Sequence, residues 1–213
     1  MTAPTIIGIS GSYSYPSRTR ALVADIAHRA AQRYSRRAQV YDLSQFGSSL
    51  GAARKLSDLD ESARRIVIQM VEAEALVVAS PVYKGSYTGL FKHLIDLLDP
   101  TAFVGKPILL AATGGGDRHA LVIEHQLRPL FGFFEARTLA TGIYAAERDF
   151  AEGSVSPALA ERLARAIEQF TPYLARREVT HAGEPNTSTQ RVNGTHDQAV
   201  RQGAQAPISA LRG

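Results

Sequence analysis

The sequence predicts an α/β protein with a doubly wound, five-stranded parallel sheet in the order 2-1-3-4-5 and helices on both faces. Two observations predict it. Short β-branched runs alternate with longer amphipathic runs five times between residues 5 and 177. The segments after the first, third and fourth short runs are rich in glycine and hydroxyl side chains. Loops of that kind belong beyond the carboxyl ends of parallel strands, where such sheets bind ligands.

The elements follow in order. "TIIGIS" (5–10) reads as a buried strand, and 18–37 as a helix with Leu22, Ile26, Ala30 and Tyr34 along one side. "AQVYDL" (38–43) is the second strand, followed by a polar, glycine-containing stretch and a helix near 59–73. "ALVVAS" (75–80) is the third strand, and 88–98 a helix carrying Leu90, Phe91, Leu94, Ile95 and Leu98. "KPILLAAT" (106–113) gives the fourth strand and 118–134 another helix; "ARTLATGIY" (136–144) gives the fifth strand and 156–177 the closing helix. Right-handed crossovers follow from strand twist. The expected domain spans 1–178. Residues 179–213 contain no aromatic side chain and little periodic apolar content, which predicts a flexible tail.

Composition narrows the function. The chain has 213 residues, 45% of them hydrophobic and 21% charged, an ordinary balance for one globular domain. The absence of cysteine rules out disulfides, thiolate nucleophiles and cysteine-ligated metals, and fits a cytoplasmic setting. No run reaches the length of a membrane span, so no membrane association is expected. The net charge of +4 reads as solvated helix surface, not a nucleic-acid footprint. The six histidines have no metal-ligand spacing, and no GxSxG elbow supports serine hydrolysis.

Three loops could carry chemistry. "SGSYSYPSRT" (10–19) places serines, Arg18 and helix-opening backbone N–H groups together. That donor set suits a terminal phosphate monoester. A bridging diphosphate sits instead against bare glycine backbone, and the GxGxxG spacing is missing. Asp42 ends strand two, where a Rossmann fold would hold a ribose, but it lies about 30 residues beyond Gly11 and the fingerprint expects about 20. It reads as a turn residue, with the ribose contact as the alternative. "SPVYKGSYTG" (80–89) offers Tyr83 as a flat ring and Lys84 as a cation. "ATGGGDRH" (112–119) exposes successive glycine amides. Each loop alone is also explained as a capped or flexible turn. Together on one rim they form a phosphate clamp, an aromatic plane and an amide edge, which fits a phosphorylated flat heterocycle such as FMN.

With these motifs, "ISGSYSYPSRT", "SPVYKGSYTGLFKHLIDLL" and "LLAATGGGDRHALVIEHQLRPLF", the chain resembles the NAD(P)H-dependent FMN reductases of flavodoxin-like fold. The likeness covers about residues 5 to 150. It is nearest to the reductase components of two-component alkanesulfonate and methanesulfonate monooxygenases. The resemblance implies that Ser10, Ser12, Ser17, Arg18 and Thr19 hold the FMN phosphate. It implies that Pro81, Val82, Tyr83 and Lys84 flank the ring, with Thr113, Gly114 and Gly115 at its pyrimidine edge. It places His125 at a one-residue insertion that opens a π-bulge near the flavin and loosens its binding; a polar residue on a packed helix is the alternative.

The implied activity is hydride transfer from NADH or NADPH to FMN, with reduced FMN passed to a monooxygenase in organosulfur metabolism and a homodimer or homotetramer as the assembly. The cofactors supply that chemistry, so no protein acid or base is assigned a catalytic role. A reductase of quinones, azo dyes or chromate that retains its flavin, and a non-catalytic FMN carrier, remain the alternatives.

Overall fold

Strand β1 (Thr5–Ser10) lies between β2 (Arg37–Asp42) and β3 (Ala75–Pro81), and all three run parallel. A computed structural model describes residues 5–151 and 154–175. The expected tail lies outside the described residues. β3 pairs with β4 (Pro107–Gly114), which pairs in turn with β5 (Arg137–Thr138) and β6 (Ile143–Ala146). The resulting order, β2-β1-β3-β4-β5 with β6 also on β4, is the one expected of a flavodoxin-like sheet.

Alternation along the strands builds a core on each face. Ile7, Ile9, Leu76, Val78, Ile108 and Leu110 point to one side. There they pack against Ala63, Ile66 and Met70 of α3 (Glu61–Glu72), Phe91 and Leu94 of α4 (Gly89–Asp96), and Phe131 of α5 (Arg128–Phe133). Ile6, Val77, Ala79, Leu109 and Ala111 point to the other. They meet Leu22 and Ile26 of α1 (Arg18–Tyr34) and Leu163 and Ile167 of α6 (Pro157–Glu168). A short helix α2 (Ser49–Ala52) occupies the polar stretch after β2, and α7 (Thr171–Leu174) follows α6.

Four expected elements differ from those observed. Helix α1 stops at Tyr34 because Ser35 turns left-handed (φ 54°) and the Arg36 N–H closes onto the Ala31 carbonyl at 2.8 Å, so β2 begins at Arg37. The expected helix at 118–134 is a 3₁₀ turn at Asp117–His119, a π-helix at Ile123–Leu127, and then α5. The fifth strand is cut in two because its middle is held by side chains. Arg128 donates to the Leu139 carbonyl, Arg162 to the Gly142 carbonyl, and the Thr141 N–H donates to Gln169 Oε1. Finally, the closing helix breaks between Glu168 and Thr171, where the Tyr34 hydroxyl meets Thr171 Oγ1 at 2.8 Å. A small antiparallel pair, β7 (Phe150–Ala151) and β8 (Ser154–Val155), has no counterpart among the expected elements.

Candidate active site

The first loop leaves β1 and is pinned before it reaches α1. The Gly11 N–H donates to the Ala79 carbonyl at 2.7 Å, and its own carbonyl accepts from Thr88 Oγ1 at 2.8 Å. A Cβ at Gly11 would lie 3.1 Å from both Phe91 Cγ and Ser80 Oγ, so any side chain there would force α4 or the end of β3 to give way. Ser10 is fully buried, and its hydroxyl accepts from the Ser12 N–H at 3.3 Å. It braces the loop from below. Ser12 Oγ accepts from the Ser14 N–H, and Ser17 caps α1 by accepting from the Arg20 N–H at 3.2 Å. Both hydroxyls keep a proton to donate.

The second loop starts where Ser80 Oγ accepts from the Thr88 N–H and donates to the Pro81 carbonyl. Val82 is then fixed by its N–H to the Thr113 carbonyl at 2.8 Å. Tyr83 and Ser86 exchange backbone hydrogen bonds across a tight turn whose central residues, Lys84 (φ 54°) and Gly85 (φ 83°), both have positive φ. That is the geometry of a type I′ turn, which glycine fills easily and lysine does not. Lys84 therefore stands exposed at the turn tip. The third loop leaves β4 at Gly114. Tyr144 of β6 lies against it, with its hydroxyl donating to the Gly116 carbonyl at 2.6 Å, and a Cβ at Gly114 would meet that hydroxyl at 2.3 Å. Burial raises the Tyr144 pKa, so the phenol stays a donor.

These three loops enclose one cleft of about 430 Å³. Its walls are Ser12, Ser14, Ser17, Arg18 and Thr19 at one end and Pro81, Val82 and Tyr83 along the side. Thr113, Gly114 and Gly115 form the floor. Ten of the residues singled out from the sequence thus meet in one place. Ser10 lies beneath the loop, Lys84 lies on the turn tip, and His125 lies within the π-helix, exposed. The π-helix is tied to the second loop, since Ser86 Oγ donates to Gln126 Oε1 at 3.1 Å. Asp42 is a turn residue, accepting from the Ser44 N–H and ion-paired with Arg20 at 2.9 Å.

Sequence reasoning missed Ala145, Glu147 and Phe150, which complete the cleft from the end of β6 and the turn after it. The signal was available: the rule that ligands sit beyond carboxyl ends of strands applies to the fifth strand as well. Among the described residues, no group of three or more His, Asp or Glu side chains could hold a metal. No helix among them is long and apolar enough to cross a membrane.

The donor set matches a mononucleotide flavin. Hydroxyls, a guanidinium and the opening of a 17-residue helix stand at one end, a valine and an exposed tyrosine ring flank the middle, and glycine backbone forms the far edge. Fold and cleft therefore define a doubly wound α/β protein with a three-loop cleft beyond the carboxyl ends of its strands, where such sheets take their ligands. The model of the NADPH-dependent FMN reductases matches residues 4–151.

NADH-dependent FMN reductase SfnE of Pseudomonas putida is 43% identical over 174 residues, covering 81% of this chain and 94% of that protein. An NADPH FMN reductase of Pseudomonas aeruginosa is 42% identical over the same shares. Among solved structures, an oxidoreductase from Corynebacterium diphtheriae superposes with a TM-score of 0.73 at 34% identity, covering 81% of this chain and 97% of that one. An archaeal flavodoxin at 12% identity (TM-score 0.51, covering 79% of this chain and 98% of that one) shares the fold alone. The chain belongs to the NADPH-dependent FMN reductase family, oxidoreductases that use FMN and a reduced nicotinamide.

Proposed function

We propose that this chain reduces FMN with NADH or NADPH in the three-loop cleft and releases the reduced flavin to a partner monooxygenase. The observation that carries the reading is the meeting of Ser12, Ser17 and Arg18 with Val82, Tyr83 and the Gly114–Gly115 backbone in one cleft. In it, Ser12, Ser17, Arg18 and Thr19 bind the phosphate, while Ser10 sets the loop that presents them. Pro81, Val82 and Tyr83 flank the ring, and Thr113, Gly114 and Gly115 meet its pyrimidine edge. Lys84, at the turn tip, attracts the anionic nicotinamide nucleotide as it arrives. Bound flavin accepts the hydride, and the protein's part is to orient the two rings and exclude water.

Release is favoured by an open cleft and by the π-helix. π-turns are rare and recur at functional sites, and His125 within this one lies one residue from Gln126, which holds the second loop. Leu121 and Phe133 are 63% and 69% exposed on the same segment, which suits an interface between copies of the chain. The resemblance to alkanesulfonate and methanesulfonate systems makes organosulfur oxidation the setting of the partner.

The test is oxidation of NADH and NADPH by dialysed protein at varied free FMN. The reading requires a rate that depends on added FMN. An undiminished rate without free flavin identifies a reductase with retained flavin, and no oxidation with FMN present identifies a carrier.

A further inference from the structure

Glu147 stands in the cleft, and no sequence motif called for it. Its Oε1 accepts from Arg18 Nη2 at 2.7 Å, across the mouth from α1 to the turn after β6. Arg18 is the first residue of α1, and the helix has no acidic residue in its first turn. Helix openings favour an anion there. In this chain a carboxylate from the turn after β6 reaches the first residue of the helix, while Asp42 pairs with Arg20 two residues on.

The backbone at Glu147 is anchored. It opens a 3₁₀ turn, Glu147–Asp149, and that turn is held by the Ala146 N–H donating to Asp149 Oδ2 at 2.8 Å. The Asp149 carbonyl accepts from the Ser156 N–H at 2.9 Å. The ion pair itself is weak, because the two side chains are 58% and 64% exposed. A dianion can displace it. Yet the carboxylate then remains close by, with its anchor unmoved and its charge of the wrong sign.

We propose that Glu147 is a counter-ion that competes with the flavin phosphate for Arg18 and so keeps FMN affinity low. This rests on the assignment of the phosphate to the first loop. The consequence is a built-in exchange: when flavin leaves, Arg18 passes from phosphate to carboxylate, and no bare cation is left at the helix opening. An enzyme that hands its product to another protein gains from such a partner, because release needs no unpaired charge.

The experiment titrates FMN and riboflavin, which lacks the phosphate, against dialysed full-length protein by quenching of flavin fluorescence. The variants are Glu147→Gln, Arg18→Ala and the two combined. Glu147→Gln is expected to tighten FMN about threefold to fivefold, the scale of one exposed charge contact, and to leave riboflavin unchanged. The gain is expected to vanish in the Arg18→Ala background.

If Arg18→Ala weakens FMN and spares riboflavin but Glu147→Gln changes nothing, the competition is refuted and the phosphate assignment stands. A gain of equal size with and without Arg18 also refutes it. If Arg18→Ala treats FMN and riboflavin alike, the phosphate assignment fails and the competition fails with it.

Discussion

The hydroxyls of Thr19 and Thr113 meet at 2.7 Å beneath the cleft, both nearly out of contact with solvent. One belongs to the first turn of α1 and the other to the end of β4. This bond ties the opening of α1 to the end of β4, two walls of the cleft. Thr19→Val strands the Thr113 hydroxyl and should lower unfolding free energy by about 1–2 kcal/mol in urea titrations. The double replacement Thr19→Val with Thr113→Val should cost less than the sum of the singles. Strictly additive losses would deny the coupling.

Thr88 links the helix that follows the second loop to the backbone of the first. Its Oγ1 donates to the Gly11 carbonyl and accepts from the Phe91 N–H, the N-cap of α4. Thr88→Val keeps the shape and removes both bonds. Stability should fall by about 1–3 kcal/mol, combining a lost cap with a buried unsatisfied carbonyl. FMN affinity measured by calorimetry should fall as well, because the loop carrying Ser12 loses its tether. A variant with full stability and full affinity would contradict that link.

Tyr144 braces the glycine loop through the Gly116 carbonyl. Tyr144→Phe preserves the packing and removes the donor. The expected result is near-normal stability with a weaker KM for FMN, about threefold to tenfold, on the scale of one neutral hydrogen bond. Since burial raises the phenol pKa, the wild-type protein should show no loss of the brace on going from neutral to mildly alkaline pH.

Arg128 grips Glu124 with two nitrogens, at 2.6 and 2.9 Å, and also donates to Thr138 Oγ1 and the Leu139 carbonyl. The guanidinium holds the Glu124 carboxyl below its ordinary 4.5. A carboxyl depressed in the folded state stabilises the fold above that ordinary value and loses its contribution as pH falls through the folded one. Urea midpoints of wild type and Glu124→Gln should therefore differ at pH 7 and converge in acid. The effect is small, because Glu124 is largely exposed and screened. A difference that persists or widens in acid would reverse the sign of this account.

How much of this was legible in the sequence follows from the physics of each part. Strands β1, β3 and β4 could be read because they are continuous apolar runs buried on both faces, and β1 matches its expected span residue for residue. The first loop could be read because hydroxyls, Arg18 and a helix start are local in sequence. The split of the fifth strand could not, because it depends on Arg128, Arg162 and Gln169 from other elements reaching its backbone. The same holds for Glu147, whose meaning comes from an arginine 129 residues away. The π-helix lay within an apparently regular amphipathic run, and only the family resemblance pointed to it.

The central claim is that a phosphate monoester is gripped where α1 begins. Its most direct test is the FMN dissociation constant of a double variant, Ser12→Ala with Arg18→Ala, against wild type. Removing one charge-assisted hydrogen bond and its neighbour predicts a loss of at least about 1.5–3 kcal/mol, tenfold or more in affinity. Equal dissociation constants would place the phosphate elsewhere and overturn the site.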